Sequence, residues 1–467
     1  MTDKLVSVLL ALQPLFFIYF IILNSFYTIF TIISLREIRR CLTTFTTRSL
    51  NNSVNDMFYR PLSILVPAYN EEKNIVSTVN SLLELRYPEY ELIIINDGSS
   101  DKTLQNLIEG LALVKIEKPI RLVISHQQIR QTYISPEHPT ILVIDKENGG
   151  KSDALNAGIN AAQFPLFCTV DADSLLEADA LVRVARLFVE DREVIATGGI
   201  VRVLNGCEVE KGVVKTVRAP AGLLECFQAV EYAKGFLSGR TAWSRLRSLL
   251  IISGTFGLFR KDLVMAINGF RKCMGEDMDL VVRLHRHCRT AGIPYKIVFI
   301  PDPVCWTQVP SDIVSLLKQR NRWQRGLIES LLYNWKLLLN PRHGIVGLFA
   351  FPYFIFIEAL GPVFEFFGYF SFLVLLLLGK VDREFGVLFF LVAVLWGTWI
   401  SFGSILLDNL IYRRYRGVRD ILKLALFSFL EYFGYRQLIA VDRLFATFFF
   451  WEKRSWGKQK RREISPS

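Results

Sequence analysis

The sequence contains no Cys-x-x-Cys pair, and its cysteines number seven, an odd count. That offers neither a zinc-ribbon spacing nor a disulfide framework, and it suits a reducing compartment. Histidine is scarce, at five residues. The nearest thing to a ligand cluster is His285, His287 and Cys288, but positions i and i+2 of a helix face apart, so it reads as solvated surface. With 29 Gly and 17 Pro the chain is neither collagen-like nor low-complexity. Charged residues make up only 21% and hydrophobic ones 51%, which excludes intrinsic disorder. No internal repeat is present. The formal charge of +11 comes without a basic platform interleaved with aromatics, so nucleic acid is not an expected partner.

What the chain does have is locally concentrated apolar sequence. Its 467 residues suffice for about three domains. Of 36 Phe, 20 lie between Gly344 and Phe450. Leu5–Leu35 carries no charge and exceeds the ~20 residues a helix needs to cross a bilayer. It is too long for a signal-peptide core and lacks a small-residue cleavage site. Arg36, Arg39 and Arg40 follow it, against Lys4 before it, which puts the N-terminus outside and the next domain in the cytoplasm.

Gly344–Gly379 is interrupted by Glu358, Gly361-Pro362 and Glu365, and reads as an interfacial helix leading into a span at about 364–379. Gly386–Leu407 returns without a charge. Leu422–Trp451 holds Glu431, Arg436, Asp442 and Arg443. A full crossing there would put the basic tail (Lys453, Arg454, Lys458, Lys460, Arg461, Arg462) outside, so an interfacial or re-entrant segment is expected. The expected divisions are a spanning helix in 1–35, a cytoplasmic domain in 36–340, an interfacial helix and two spans in 341–410, and a basic loop, interfacial segment and cytoplasmic tail in 411–467.

Between residues 60 and 340, short β-branched runs alternate with helical segments: Ser63–Val66, Glu91–Ile95, Thr140–Ile144, Leu166–Val170 and Lys296–Ile300. This predicts a parallel-type sheet, whose ligands sit beyond the carboxyl ends of its strands. Acidic residues collect at those ends.

Five constellations carry chemistry, and each has an ordinary structural alternative. Tyr69, Asn70 and Glu71 follow one run, and Asp97-Gly98-Ser99 the next; a ring and carboxylates there suit a flat hydrogen-bonding base, or simply a turn and a helix cap. Asn148-Gly149-Gly150-Lys151 before a helix suits a diphosphate, or is a solvated loop. Asp171-Ala172-Asp173 beyond a buried strand suits a hard divalent cation, although N-capping explains many such pairs. Gly275-Glu276-Asp277 opens a helix, where the dipole favours acids; the chemical reading is a general base. Gln319, Arg322 and Trp323 share one face of a helix over about 312–339, suiting a sugar beside a phosphate, or an interface-anchored amphipathic helix.

The order and spacing of the five resemble the membrane-integrated family-two glycosyltransferases with the Gln-x-x-Arg-Trp signature, such as cellulose, hyaluronan and bacterial poly-N-acetylglucosamine synthases. The resemblance covers about residues 60–340 and the flanking membrane segments. It implies an α/β GT-A catalytic domain with a Rossmann-like nucleotide-sugar site, flanked by transmembrane and interfacial helices. It implies that Tyr69, Glu71 and Asp97 hold uridine, Lys151 the diphosphate, and Asp171 the nucleotide and metal. Asp173 would coordinate Mg²⁺ or Mn²⁺, Asp277 would be the general base beside Glu276, and Gln319, Arg322 and Trp323 would line the acceptor and pyrophosphate. The usual Thr-Glu-Asp is Gly-Glu-Asp here, with both carboxylates retained.

The resemblance further implies a metal-dependent, inverting exopolysaccharide synthase of the inner membrane, using a UDP-sugar and a polysaccharide acceptor. Single-sugar transfer to a membrane lipid is the alternative. Three clear spans are few for a self-contained pore, so an accessory export subunit is an expected partner. An inactive scaffold is disfavoured because every candidate carboxylate is present.

Overall fold

The computed structural model describes residues 2–48 and 59–451, apart from residues 211, 413 and 416. The basic tail beyond Trp451 lies outside the described residues. The strands in chain order are β1 (Leu62–Ala68), β2 (Tyr90–Asp97), β3 (Val114–Ile116), β4 (Ile129–Ile134), β5 (Ile141–Lys146), β6 (Leu166–Val170), β7 (Ser174–Leu176), β8 (Val194–Val203), β9 (Glu208–Glu210), β10 (Val213–Thr216), β11 (Phe256–Arg260) and β12 (Lys296–Thr307). Ten form one sheet in the order β3-β4-β5-β2-β1-β6-β11-β8-β12-β7, and β9 pairs with β10 alone.

The half β5-β2-β1-β6 is parallel, as its apolar runs predict. The sheet as a whole is mixed, which corrects the expectation of a parallel-type sheet. β11 runs antiparallel between β6 and β8, β4 runs antiparallel to both β5 and the edge strand β3, and β7 closes the other flank antiparallel to β12. The five runs read from the sequence fall in β1, β2, β5, β6 and β12, which all run the same way, and the reversed strands β4, β7 and β11 lie outside those runs. β12 extends to Thr307, past the expected end, because a register break between Phe299 and Val304 absorbs Pro301 and Pro303.

His285 departs from the surface reading too. It is 1% exposed and held between the Tyr295 hydroxyl and the Leu249 carbonyl, each at 2.8 Å. Burial pulls its imidazole down to about 4. The described cysteines (168, 207, 226, 273, 288, 305) are all unpaired thiols.

Among the described residues, three helical stretches are long and apolar enough to cross a membrane: Lys4–Arg40, Val346–Leu377 and Arg383–Asn409. The first lies within one helix, Thr2–Arg48. Several of their polar groups tie one stretch to another. Gln13 Nε2 donates to Ser371 Oγ at 3.0 Å, Asn24 Nδ2 to the Val392 carbonyl at 2.8 Å, and Trp396 Nε1 to Thr28 Oγ1 at 2.9 Å. Phe372 and Phe389 stack at 4.2 Å between the second and third. After them come the helix Val418–Leu430, a break at Phe433 and Gly434, and the helix Arg436–Phe448, which packs on the signature helix Ile313–Tyr333.

A buried ion pair joins sheet to membrane segment: Arg202 on β8 donates through both terminal nitrogens to Asp408 in the third stretch. Asp408 is 3% exposed. Arg202→Met would strand that carboxylate without a counter-charge, a loss of about 3–5 kcal/mol for a broken buried pair. The unfolding midpoint of the detergent-purified variant should fall measurably; a wild-type Tm would contradict this reading of the joint.

Candidate active site

The carboxyl ends of β1, β2 and β6 carry the first group of residues. Tyr69 is exposed, and Glu71 just beyond it is buried. Their segment is tied to the loop after β2: the Asn70 amide donates to Ser99 Oγ at 3.0 Å, the Ser100 amide to Asn70 Oδ1 at 2.8 Å, and the Glu71 amide to Thr103 Oγ1 at 2.7 Å. Asp97 ends β2 and is 3% exposed. Its Oδ1 accepts from Lys146 Nζ (2.7 Å) and the Gly149 amide (3.0 Å), and its Oδ2 from the Gly150 amide (2.8 Å) and Asn148 Nδ2 (3.2 Å). Each carboxylate oxygen thus already takes two donors, and Asp97 sets the Asn148–Gly150 turn that delivers Lys151.

Lys151 is the first residue of the helix Lys151–Ala161. Its Nζ lies 2.6 Å from Asp171 and 3.6 Å from Glu276, bridging the acidic residues after β6 to those opening the helix Glu276–Thr290. Burial lowers the pKa of this ammonium, but Asp171 and Glu276 outweigh it, so the net shift is upward and the charge is held. Glu276 moves up as well, chiefly through burial, against the pull of Lys151. Asp173 is 9% exposed, two residues beyond Asp171.

Gly254, before β11, marks where these groups converge. A Cβ there would lie 3.0 Å from Lys151 Nζ, 3.7 Å from Asp277 Cβ and 3.7 Å from Glu276 Oε1. Asp277 Oδ1 accepts from the Met278 amide at 2.8 Å. Arg240, over the Phe236 ring at 3.9 Å, is drawn down to about 10 by burial, opposed by the nearby Asp277 carboxylate.

The helix Ile313–Tyr333 brings the last group. Asp312 caps it through the Ser315 amide. Its opposite face is buried: Gln324 meets the Ala359 carbonyl and Thr447, and Arg443 donates to Gln324 Oε1 at 2.9 Å. Trp323 stays 42% exposed, its ring 6.4 Å from that of Tyr232. The Arg322 guanidinium is close enough to Glu276 to stabilise its ionised form. Trp323 therefore sits beside Tyr232, and Lys151, Glu276 and Asp277 gather at Gly254 with Asp171 paired to Lys151, while Arg322 acts on Glu276 from the signature helix.

Sequence reasoning missed Gly254, Arg240, Tyr232 and Glu231, which stand outside the five motifs and are delivered by elements distant in the chain. Arg320 and Gly326 stand within and just after the signature, but their partners are distant in the chain and the sequence alone does not mark them.

Comparison with known proteins places this arrangement. Residues 60–326, more than half of the chain, match the family model described as "Glycosyltransferase like family 2", and the chain belongs to that family. Among curated relatives, the poly-beta-1,6-N-acetyl-D-glucosamine synthase of Staphylococcus aureus (strain COL) is 29% identical over 323 residues, 69% of this chain. The Staphylococcus epidermidis protein of the same name is 30% identical over 272 residues, 58% of this chain and 55% of its own. The first match spans 66% of that relative, just short of two thirds of its length. A mannosyltransferase from Pyrobaculum calidifontis, solved with GDP-Man and Mn²⁺, superposes with a TM-score of 0.53 at 15% identity, covering 90% of this chain and 99% of that one. The fold is accordingly GT-A, with candidate membrane helices on both sides of the catalytic domain.

Proposed function

We propose that the protein is a membrane-bound, inverting glycosyltransferase that extends a β-linked polysaccharide from a UDP-sugar. The observation that carries this is the convergence of Lys151, Glu276 and Asp277 around Gly254, with Asp171 paired to Lys151 and with Arg322 and the exposed Trp323 supplied by the signature helix. An ammonium beside carboxylates suits a diphosphate leaving group, a carboxylate suits a base, and an indole suits a sugar face.

Tyr69 and Glu71 would line the uridine, with Asp97 acting from behind the turn it holds. Lys151 would bind the diphosphate. Among the described residues no three His, Cys, Asp or Glu side chains gather to hold a metal by themselves. That fits a Mg²⁺ or Mn²⁺ held by one or two carboxylates together with substrate phosphates, and the hard oxygens of Asp171 and Asp173 are the donors available. Bound there, the ion would neutralise charge on the departing diphosphate. Asp277 takes the proton of an acceptor hydroxyl, whose oxygen bonds to the anomeric carbon from the side opposite UDP. The bond to UDP breaks with its electron pair leaving on the phosphate oxygen, and the centre inverts. An α-linked donor therefore gives a β-glycoside.

The catalytic domain faces the cytoplasm in this account and the N-terminus the outside, on the strength of Arg36, Arg39 and Arg40. The exposed Val418, Leu422 and Leu426, spaced by one helical turn, suit a helix lying in the membrane surface. An accessory export subunit remains part of the proposal because three candidate spans are few for a pore.

The donor is tested by UDP release from detergent-purified protein with Mg²⁺ or Mn²⁺ across a panel of UDP-sugars. UDP-N-acetylglucosamine is expected to be the preferred donor, in keeping with the names of the relatives. Equal or absent release with every sugar, in the presence of an oligosaccharide acceptor, would overturn the donor assignment.

A further inference from the structure

Arg320 lies between two residues of the signature, yet the chemistry above does not use it. It is 2% exposed and among the largest fully buried side chains of the protein. A guanidinium is taken out of water at a cost that only close pairing offsets. Its pairing here is directed at the signature itself. The guanidinium lies over the Trp323 ring at 4.2 Å, and Nη1 donates to Gln319 Oε1 at 2.9 Å. Nη2 donates to Glu231 Oε2 at 2.7 Å, and that oxygen also accepts from the Tyr435 hydroxyl at 3.0 Å.

Two consequences follow from hydrogen-bond chemistry. Arginine offers donors only, so the Gln319 amide must turn its oxygen inward and has its NH₂ left to present. A cation on the indole holds the plane of Trp323, whose ring is otherwise half free. The brace behind Arg320 comes from two distant places, Glu231 on the helix Leu223–Ala233 and Tyr435 at the break in the C-terminal segment, where Gly434 takes φ 108°.

We propose that Arg320, braced by Glu231 and Tyr435, is a positioning residue for the acceptor sugar. It fixes the Trp323 indole as a stacking platform and fixes Gln319 as a donor to an acceptor oxygen, so that the hydroxyl keeps its own proton for Asp277. This rests on the transferase reading above. It also makes the C-terminal segment part of the acceptor side of the site.

The test uses the full chain in detergent. Arg320→Lys keeps a positive charge for Glu231 but loses the planar fork and its stacking, and Tyr435→Phe removes one hydroxyl from the brace. With UDP-N-acetylglucosamine as donor and a β-linked N-acetylglucosamine tetrasaccharide as acceptor probe, Arg320→Lys should raise the acceptor KM about tenfold. The donor KM and the Kd for UDP should stay near wild type. Tyr435→Phe should move the acceptor KM the same way by less. An unchanged acceptor KM, or donor and acceptor KM rising together, would overturn the proposal. If the wild-type protein does not use this donor and probe, the donor assignment fails and a second readout decides the brace. In protein labelled with 5-fluorotryptophan, the ¹⁹F signal missing from Trp323→Phe identifies residue 323. A shift of that signal in Arg320→Lys supports the brace, and an unmoved signal refutes it.

Discussion

Asp277→Asn should lower sugar transfer by about 10²–10⁴-fold, the usual worth of a general base, and leave UDP binding near its wild-type strength. The substitution is close to isosteric, and the asparagine side-chain oxygen still accepts from the Met278 amide, so the opening turn of the helix is kept. The Lys151–Asp171 pair on the nucleotide side is untouched. What the amide cannot do is take a proton from an acceptor hydroxyl. Isothermal titration with UDP, run beside UDP release from the sugar donor, separates the two effects. Equal loss of binding and transfer would remove Asp277 from the role of base.

The second large effect is expected at Gly275, where the resemblance to the synthases implies a threonine. Here the backbone of the Gly-Glu-Asp loop touches the backbone of the signature helix. A Cβ at Gly275 would lie 2.5 Å from the Gly326 carbonyl oxygen, and a Cβ at Gly326 would lie 2.7 Å from the Gly275 nitrogen. Both are closer than real Cβ atoms come, and the obstacle is backbone, which cannot swing aside. Three bonds fasten the same contact: Met274 amide to Glu329 Oε2 at 2.8 Å, Ser330 Oγ to the Gly275 carbonyl at 3.1 Å, and Asn334 Nδ2 to Asp279 Oδ1 at 2.9 Å.

Gly275→Thr therefore has to part the two helices, at a cost of about 1–3 kcal/mol for overpacking. The larger effect falls on chemistry, because Asp277 would shift against Arg322 and Trp323, and a misplacement of ~1 Å costs about 10²-fold. The variant should stay folded with a modestly lower Tm and lose most of its kcat. A wild-type kcat would show that the contact does not set the position of the base.

How much of this was legible in the sequence depends on how far apart the partners lie. β1, β2, β5 and β6 announce themselves as apolar runs, and the residues just beyond β1, β2 and β6 fall at one edge because parallel strands end together. The shared face of Gln319 and Trp323 follows from helical spacing alone. The antiparallel β11 and β4 are not legible in this way, since the run of one is broken by Gly257 and the other, a strand near the edge, carries three polar residues in succession, Arg130, Gln131 and Thr132. Asp97 shows a further limit. As a residue type at a strand end it suited a base pocket equally well as a turn, and only the fold reveals that both its oxygens face the 146–150 loop. Arg320 adjoins Gln319, but Glu231 is 89 positions away and Tyr435 lies farther along the chain, so no local pattern marks the brace.

The most direct test of the central claim is the size of the product made from radiolabelled UDP-N-acetylglucosamine by the purified full chain in Mg²⁺ or Mn²⁺. The account predicts a high-molecular-mass, β-linked carbohydrate that grows with time and is absent with Asp277→Asn. A product of one sugar per acceptor, extracted into organic solvent with membrane lipid, would contradict it and make the protein a glycolipid synthase.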